Sequence, residues 1–289
     1  MFVNGDNLIQ KEKHKTKYLD KESKQYLKEI REQYDIWKAE NLALKGPFST
    51  IDENDINIIT KRVKLFSNYK DFLDQQHYAE KFDSRSNLHS SVLEEFMYYL
   101  FKDLVSDFSD SALIGKARAF KDIFFQAKNY SDMVEEPNIH IEIKDHDFVI
   151  GVNIETTMKC SGKSHVQKEI LQIPAVAIEC KTYLDKTMLE GASNAGEQLL
   201  AKNPNALYIV VAEWLKLTEK VNLKKYKVDQ IFVLRKQKNT DREFRYDDDY
   251  VKNPIYEDVT FNLFNMVRDH LTNPWEGSIQ EKLERGYLI

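Results

Sequence analysis

Along the chain the spacing of apolar residues is helical through the first part and drops to two near residue 139. From about residue 10 to 45, Leu19, Tyr26, Ile30 and Trp37 recur at helical spacing with charges between them, so one long helix is expected, ended by Gly46-Pro47. Residues 51 to 80 repeat the pattern through Ile56, Ile59, Val63, Phe66 and Phe72. Strand signals are scarce here, and residues 1–85 read as a helical subdomain, with a second domain over 86–289. That domain begins with a helix from Val92 to Leu104, which Ser90 or Ser91 can cap. A further helix is expected over Ala112 to Lys128.

The period then drops to two. Ile139, Ile141 and Ile143 alternate with polar residues, as do Phe148, Ile150, Val152 and Ile154. Asp145-His146-Asp147 between them reads as the tight turn of a hairpin. Ile173 to Tyr183 is a third strand, and its Pro-Ala-Val-Ala-Ile centre is apolar enough to be buried on both faces. Leu184 to Lys202 reads as helix with Ala192 and Ala195 on its apolar side, Ala206 to Ala212 as a buried strand, Ile231 to Leu234 as a short one, and residues 257 to 271 as a last helix. This order predicts an α/β fold: a mixed central sheet flanked by helices, with the N-terminal helical subdomain attached.

Composition narrows the class. The chain has 289 residues, only nine Gly and six Pro, and 34 aromatic side chains (16 Phe, 15 Tyr, 3 Trp), which favours long regular elements around a real core and excludes a disordered chain. No run approaches the roughly 18 apolar residues of a membrane helix, and the N-terminus lacks the apolar stretch of a signal peptide, so the cytoplasm is the expected compartment. Cys160 and Cys180 do not suggest a secreted scaffold. A formal charge of −5 argues weakly against nucleic acid. It conceals the stretch from Leu215 to Arg245, where ten Lys and Arg meet four Asp and Glu; that surplus could follow phosphates or simply be a solvated surface.

The strand 173–183 stays apolar until Glu179-Cys180-Lys181. Residues two apart on a strand share a side, so Glu179 and Lys181 project together from the end of a buried strand, where unpaired charges are expensive. If the strand starting at Asp147 pairs antiparallel with it, Asp147 arrives beside them. Two adjacent carboxylates repel unless a cation joins them, and a hard divalent ion with oxygen ligands, Mg2+ above all, suits such a pair while leaving room for waters and a phosphate oxygen. Lys181 would then stabilise developing charge rather than act as a base, because two carboxylates raise its pKa. Glu-x-Lys also occurs at Glu22-Ser23-Lys24, a surface pair on a helix, and at Glu142-Ile143-Lys144 on the expected edge of the hairpin. Only the third copy ends an apolar strand with an Asp strand before it and a helix after it.

This arrangement resembles the PD-(D/E)xK nuclease superfamily, with Asp147 in DFVIG as first acid and Glu-Cys-Lys as the (D/E)xK element. His146 stands where the motif's Pro would be, which leaves Asp145 as a rival first acid. HSSVLEEF, DFVIG and IPAVAIECKTYLDKTMLEGA are similar to type II restriction endonucleases of the heterodimeric, BbvCI-like kind, over roughly residues 89–235. The resemblance implies Mg2+-dependent hydrolysis of phosphodiester bonds in double-stranded DNA, one strand per catalytic site. It also implies a metal-binding Glu on the helix before the sheet, for which Glu94 flanks the apolar face better than Glu95, and a site-proximal Gln at Gln198. One motif per chain implies a second, related subunit or a second copy. The polar stretch 156–168, with Lys159, Lys163 and Lys168, is a candidate phosphate contact, as is the cluster Lys116, Arg118 and Lys121. His89 and His165 are possible ligands of lower rank. The rival readings are a repair or junction-resolving nuclease, and a DNA-binding subunit in which Glu179 and Lys181 are a structural pair.

Overall fold

A computed structural model describes residues 1–82, 87–238, 249–275 and 279–286. It is built on a mixed five-stranded sheet in the order β1 (Leu113–Phe125), β2 (Ile139–Met158), β3 (Gln167–Leu184), β4 (Leu207–Leu215), β5 (Gln230–Val233). The first three strands are antiparallel, and β3, β4 and β5 are parallel. The mixed sheet expected from the alternation is therefore present, with β3 at its centre.

Helices cover both faces. On one side lie α1 (Val3–Glu12), α2 (Lys21–Ala43), α3 (Asp55–Leu73), α4 (Gln76–Lys81), α5 (Ser91–Ser106) and α8 (Glu257–Thr272); their apolar residues form one continuous core with Phe148, Ile150, Val176, Ile178, Ile209 and Val211 of the sheet. On the other side α7 (Lys186–Leu200) packs Leu189, Ala192, Ala195 and Leu199 on Val149, Ala177, Tyr208 and Val210. Two short helices, α6 (Tyr130–Glu135) and α9 (Ile279–Arg285), lie outside these layers' cores. The N-terminal helices share their core with the sheet. The point near residue 85 where two domains were expected to meet lies outside the described residues.

Three expectations are corrected. The long helix over 10–45 is two helices: Asp20 caps α2 by accepting the Ser23 N–H at 2.9 Å, and that local bond competes successfully with continued helix. The stretch 112–128 is strand β1, not helix. Its Gly115, Ala117 and Ala119 point inward while Lys116 and Arg118 point out, a period of two formed by small residues; pairing with β2 overrides the helix propensity of Ala and Lys. Finally, 145–147 is not a turn. β2 runs through it unbroken, but its ladder gains a residue there: Gly115 pairs with Val149 and Ala117 with His146, so Asp147 and Phe148 together oppose Lys116. This is a β-bulge, which bends a strand without ending it. The bending is large, because the Gln167 carboxamide, on the residue paired with Met158 at one end of β2, bonds both N–H and C=O of Ile139 at the other.

A second irregularity lies where Gly151 faces Pro174. A Cβ on Gly151 would fall 2.1 Å from the Ile173 carbonyl oxygen, so only glycine fits.

Candidate active site

β2 and β3 part company at the bulge. Their ladder starts at Phe148–Ile178, whereas β3 continues through Glu179 and Lys181 beside Val210 and Ala212 of β4. Asp147 therefore sits in the fork between two diverging strands. Its Oδ2 accepts the backbone N–H of Cys180 at 2.9 Å, taking the place of a strand partner, and accepts from Lys181 Nζ at 3.1 Å. Lys181 Nζ also donates to Glu179 Oε1 at 2.8 Å. All three side chains are about one-fifth exposed, and Asp147 and Lys181 line a cleft of about 590 Å3. The antiparallel pairing inferred from the sequence thus brings Asp147 to Glu179 and Lys181.

Glu94 enters the same cleft from α5. It is buried and its Oε2 accepts from Lys116 Nζ of β1 at 3.2 Å. Glu95 points the other way, into the core between α5 and α1, as the helical wheel implies. Asp145, the rival first acid, is exposed and lies 3.9 Å from Arg118. His146 fills the position before Asp147 as a buried ring set edge-on to Tyr208, and burial lowers its pKa to about 4, so it is neutral at physiological pH.

The electrostatics follow from crowding. Burial, then repulsion from Asp147, lifts the carboxyls of both Glu94 and Glu179 above the ordinary glutamate range, against the pull of Lys116 and Lys181. Burial works against the Lys181 ammonium, but Asp147 and Glu179 outweigh it and hold the proton on. In the metal-free protein the two carboxylates therefore favour the charged ammonium of Lys181.

Do these residues suit a divalent metal? Among the described residues no three His, Cys, Asp or Glu side chains converge as a ready ligand set. Here the Lys181 ammonium stands between the two carboxylates. The donor chemistry nevertheless fits a hard cation: Asp147 and Glu94 border the cleft, Lys181 joins Glu179 to Asp147, and Glu179 Oε2 is buried without a hydrogen-bond partner. A pH prediction follows. Glu94 and Glu179 have folded pKa values above their unfolded ones, so the metal-free protein gains stability from them as pH falls into that window and loses it as pH rises through. Cation binding needs both deprotonated and must change with the opposite sign. Calorimetric Ca2+ titrations should weaken from neutral pH to about pH 5 while the metal-free melting contribution of these groups improves; equal Ca2+ affinity at both ends would remove the two glutamates from the ligand set.

The remaining candidates are scattered. Gln198 is exposed, far along α7 from its start beside the site. The polar stretch 156–168 is the tip of the β2–β3 hairpin, at the opposite end of β2's C-terminal half from Asp147; there Lys163 pairs with Glu135, and His165 lies 4.0 Å from Glu136. Lys121 pairs with Glu142. His89, by contrast, borders the cleft, and its ring is buried 3.2 Å from Asp74. In the basic stretch, Arg235 is buried beside Glu213, Lys236 and Lys238 pair with Asp258 and Glu219, and Arg242 and Arg245 lie outside the described residues. Sequence reasoning missed α1, whose Asp6, Asn7 and Gln10 border the cleft. The signal was an amphipathic pattern hidden by the assumption of one helix from residue 10.

A mixed five-stranded sheet with helices on both faces, and acids and a lysine where its central strands fork, is the architecture of restriction endonucleases. The chain belongs to the Bpu10I restriction endonuclease family, whose profile matches residues 85–288. Among solved structures, a chain of the native BbvCI A2B2 tetramer superposes with a TM-score of 0.68 at 18% identity, covering 96% of this chain and 99% of that one. At this identity the likeness is one of fold. No curated protein matches the sequence.

Proposed function

We propose that the chain is a catalytic subunit of a sequence-specific type II restriction endonuclease, hydrolysing phosphodiester bonds of double-stranded DNA with Mg2+, one strand per catalytic site. The observation that carries this reading is the contact of Lys181 with both Asp147 and Glu179 at the fork of β2 and β3, where Asp147 and Lys181 line a cleft that Glu94 also borders. Asp147, Glu179 and Glu94 would hold the ion. When bound, Mg2+ supplies charge neutralisation at the phosphate and a more acidic water. Lys181, kept protonated, orients the attacking water and offsets the charge that builds on the phosphate oxygens. The Cys180 N–H keeps Asp147 aimed.

Cutting a duplex takes two such sites, so a related subunit or a second copy completes the enzyme; the A2B2 composition of the BbvCI tetramer favours a related subunit. Residues 86–289 act as the catalytic domain and 1–85 as a helical subdomain. No described helix is long and apolar enough to cross a membrane, in keeping with a cytoplasmic enzyme.

The test is incubation with supercoiled plasmid and Mg2+ beside an Asp147→Asn variant. Discrete nicks or cuts by the wild type, reduced at least about 100-fold in the variant, are expected, since a charged ligand is lost. If the protein binds DNA but neither cuts it nor takes up Ca2+, Lys181 is a permanent structural counterion and the subunit is a silent one.

A further inference from the structure

Helix α1 forms one wall of the cleft. Val3, Asp6, Asn7 and Gln10 border the cavity that holds Glu94, Asp147 and Lys181, and their spacing puts them on one helical face. The opposite face is clamped. Glu95 accepts the N–H groups of Asn4 and Gly5 at 2.9 and 3.2 Å, and the Asn4 side chain is bonded to Leu88, Ser91 and Tyr69. Asn4 and Leu8 are fully buried. Gly5 permits the close approach, because a Cβ there would lie 2.3 Å from the Tyr34 hydroxyl. The wall is therefore rigid, and its cleft-side groups point in set directions.

Those groups are uncommitted. Asp6 and Gln10 are exposed and Asn7 is half-buried, and among the described residues their side chains make no hydrogen bond within the protein. This face carries no lysine or arginine, and Lys11 is buried on the other side. It is thus unsuited to gripping phosphates. Its chemistry matches base edges instead: an Asn or Gln carboxamide pairs bidentately with adenine, a carboxylate accepts from the cytosine amino group, and an apolar side chain meets the thymine methyl.

We infer that α1 reads the target sequence, its Asp6, Asn7 and Gln10 contacting base edges in the major groove while the fork of β2 and β3 engages the adjacent phosphate. This rests on the nuclease reading above. An α-helix fits that groove, and a helix packed against the catalytic helix couples base reading to the position of Glu94.

The experiment uses the protein with whatever subunit co-purifies with it, a randomised duplex library, Mg2+, and sequencing of the ends produced. Asn7→Ala, Gln10→Ala and Asp6→Ala are surface changes whose folding a thermal melt verifies. Each is expected to broaden base preference at one or two target positions, by roughly 5- to 150-fold per lost bidentate contact. Wild-type preferences retained in all three variants would overturn the role of α1 and leave the nuclease reading intact. A wild-type protein that makes no Mg2+-dependent breaks in any sequence would overturn both.

Discussion

Lys181→Ala should lower strand cleavage by this subunit about 100- to 1,000-fold, the usual loss when one charge-stabilising donor is removed from an active site. The site makes the effect specific to chemistry. Among the described residues Lys181 is the one ammonium in hydrogen-bond contact with both Asp147 and Glu179, and those carboxylates favour its charged form. Its loss leaves two acids facing each other, so the metal-free variant should melt lower than wild type, and Ca2+ should recover much of that loss. In a two-subunit enzyme the partner site still cuts its own strand, so plasmid digestion should stop at nicked circles instead of linear DNA. Unchanged double-strand cutting would show that Lys181 is only a structural counterion. A variant that melts lower and gains nothing from Ca2+ would argue against Asp147 and Glu179 as ligands.

Glu95→Ala should cost at least about 3 kcal/mol of stability, although its neighbour Glu94 is the residue in the cleft. Glu95 is wholly buried and receives four donors: the N–H groups of Asn4 and Gly5, and the hydroxyls of Tyr34 and Tyr99 at 3.0 and 2.6 Å. Burial raises its pKa and those four bonds pull it back. Alanine strands all of them in an apolar setting, at about 1–3 kcal/mol for each unsatisfied group before relaxation. Glu95→Gln keeps an acceptor but adds an amide donor among donors, so a smaller loss is expected. Chemical denaturation of the three proteins measures this, and a Glu95→Ala midpoint equal to wild type would mean that α1 is not held by this network. Because α1 walls the cleft, the variant should also expose the start of the chain to protease before the core unfolds.

How much of this was legible beforehand depends on the range of the interactions concerned. Near-neighbour patterns were enough for β3, β4 and α7. Val176 to Ile178 and Leu207 to Ala212 are apolar without interruption and are buried on both faces, while the small residues Ala192 and Ala195 mark the side of α7 that meets the sheet. The same local reading placed Glu179 and Lys181 on one side of a strand end, and supposing an antiparallel neighbour was enough to bring in Asp147. Charge cost did the rest, since acids and a lysine at the end of a buried strand need a common purpose.

Tertiary structure alone decided the remainder. β1 looks like helix until β2 pairs with it, because Ala, Lys and Arg favour helix and only a ladder partner rewards their alternation. Asp145-His146-Asp147 has the polarity of a turn. It becomes a bulge because Cys180 offers its N–H to Asp147 and Tyr208 covers His146, partners 33 and 62 positions away. It is Asp147 and not Asp145 that the bulge brings to Cys180 and Lys181, while the stretch 156–168 lies at the far end of the β2–β3 hairpin. The cleft wall was least legible of all. Nothing near Asn4 or Gly5 in the chain announces Glu95, some 90 residues on. The sequence by itself determined the acids, the lysine and the strand that carries two of them, because those depend on local period and charge. Which surface faces them was settled only when distant segments found their hydrogen-bond partners.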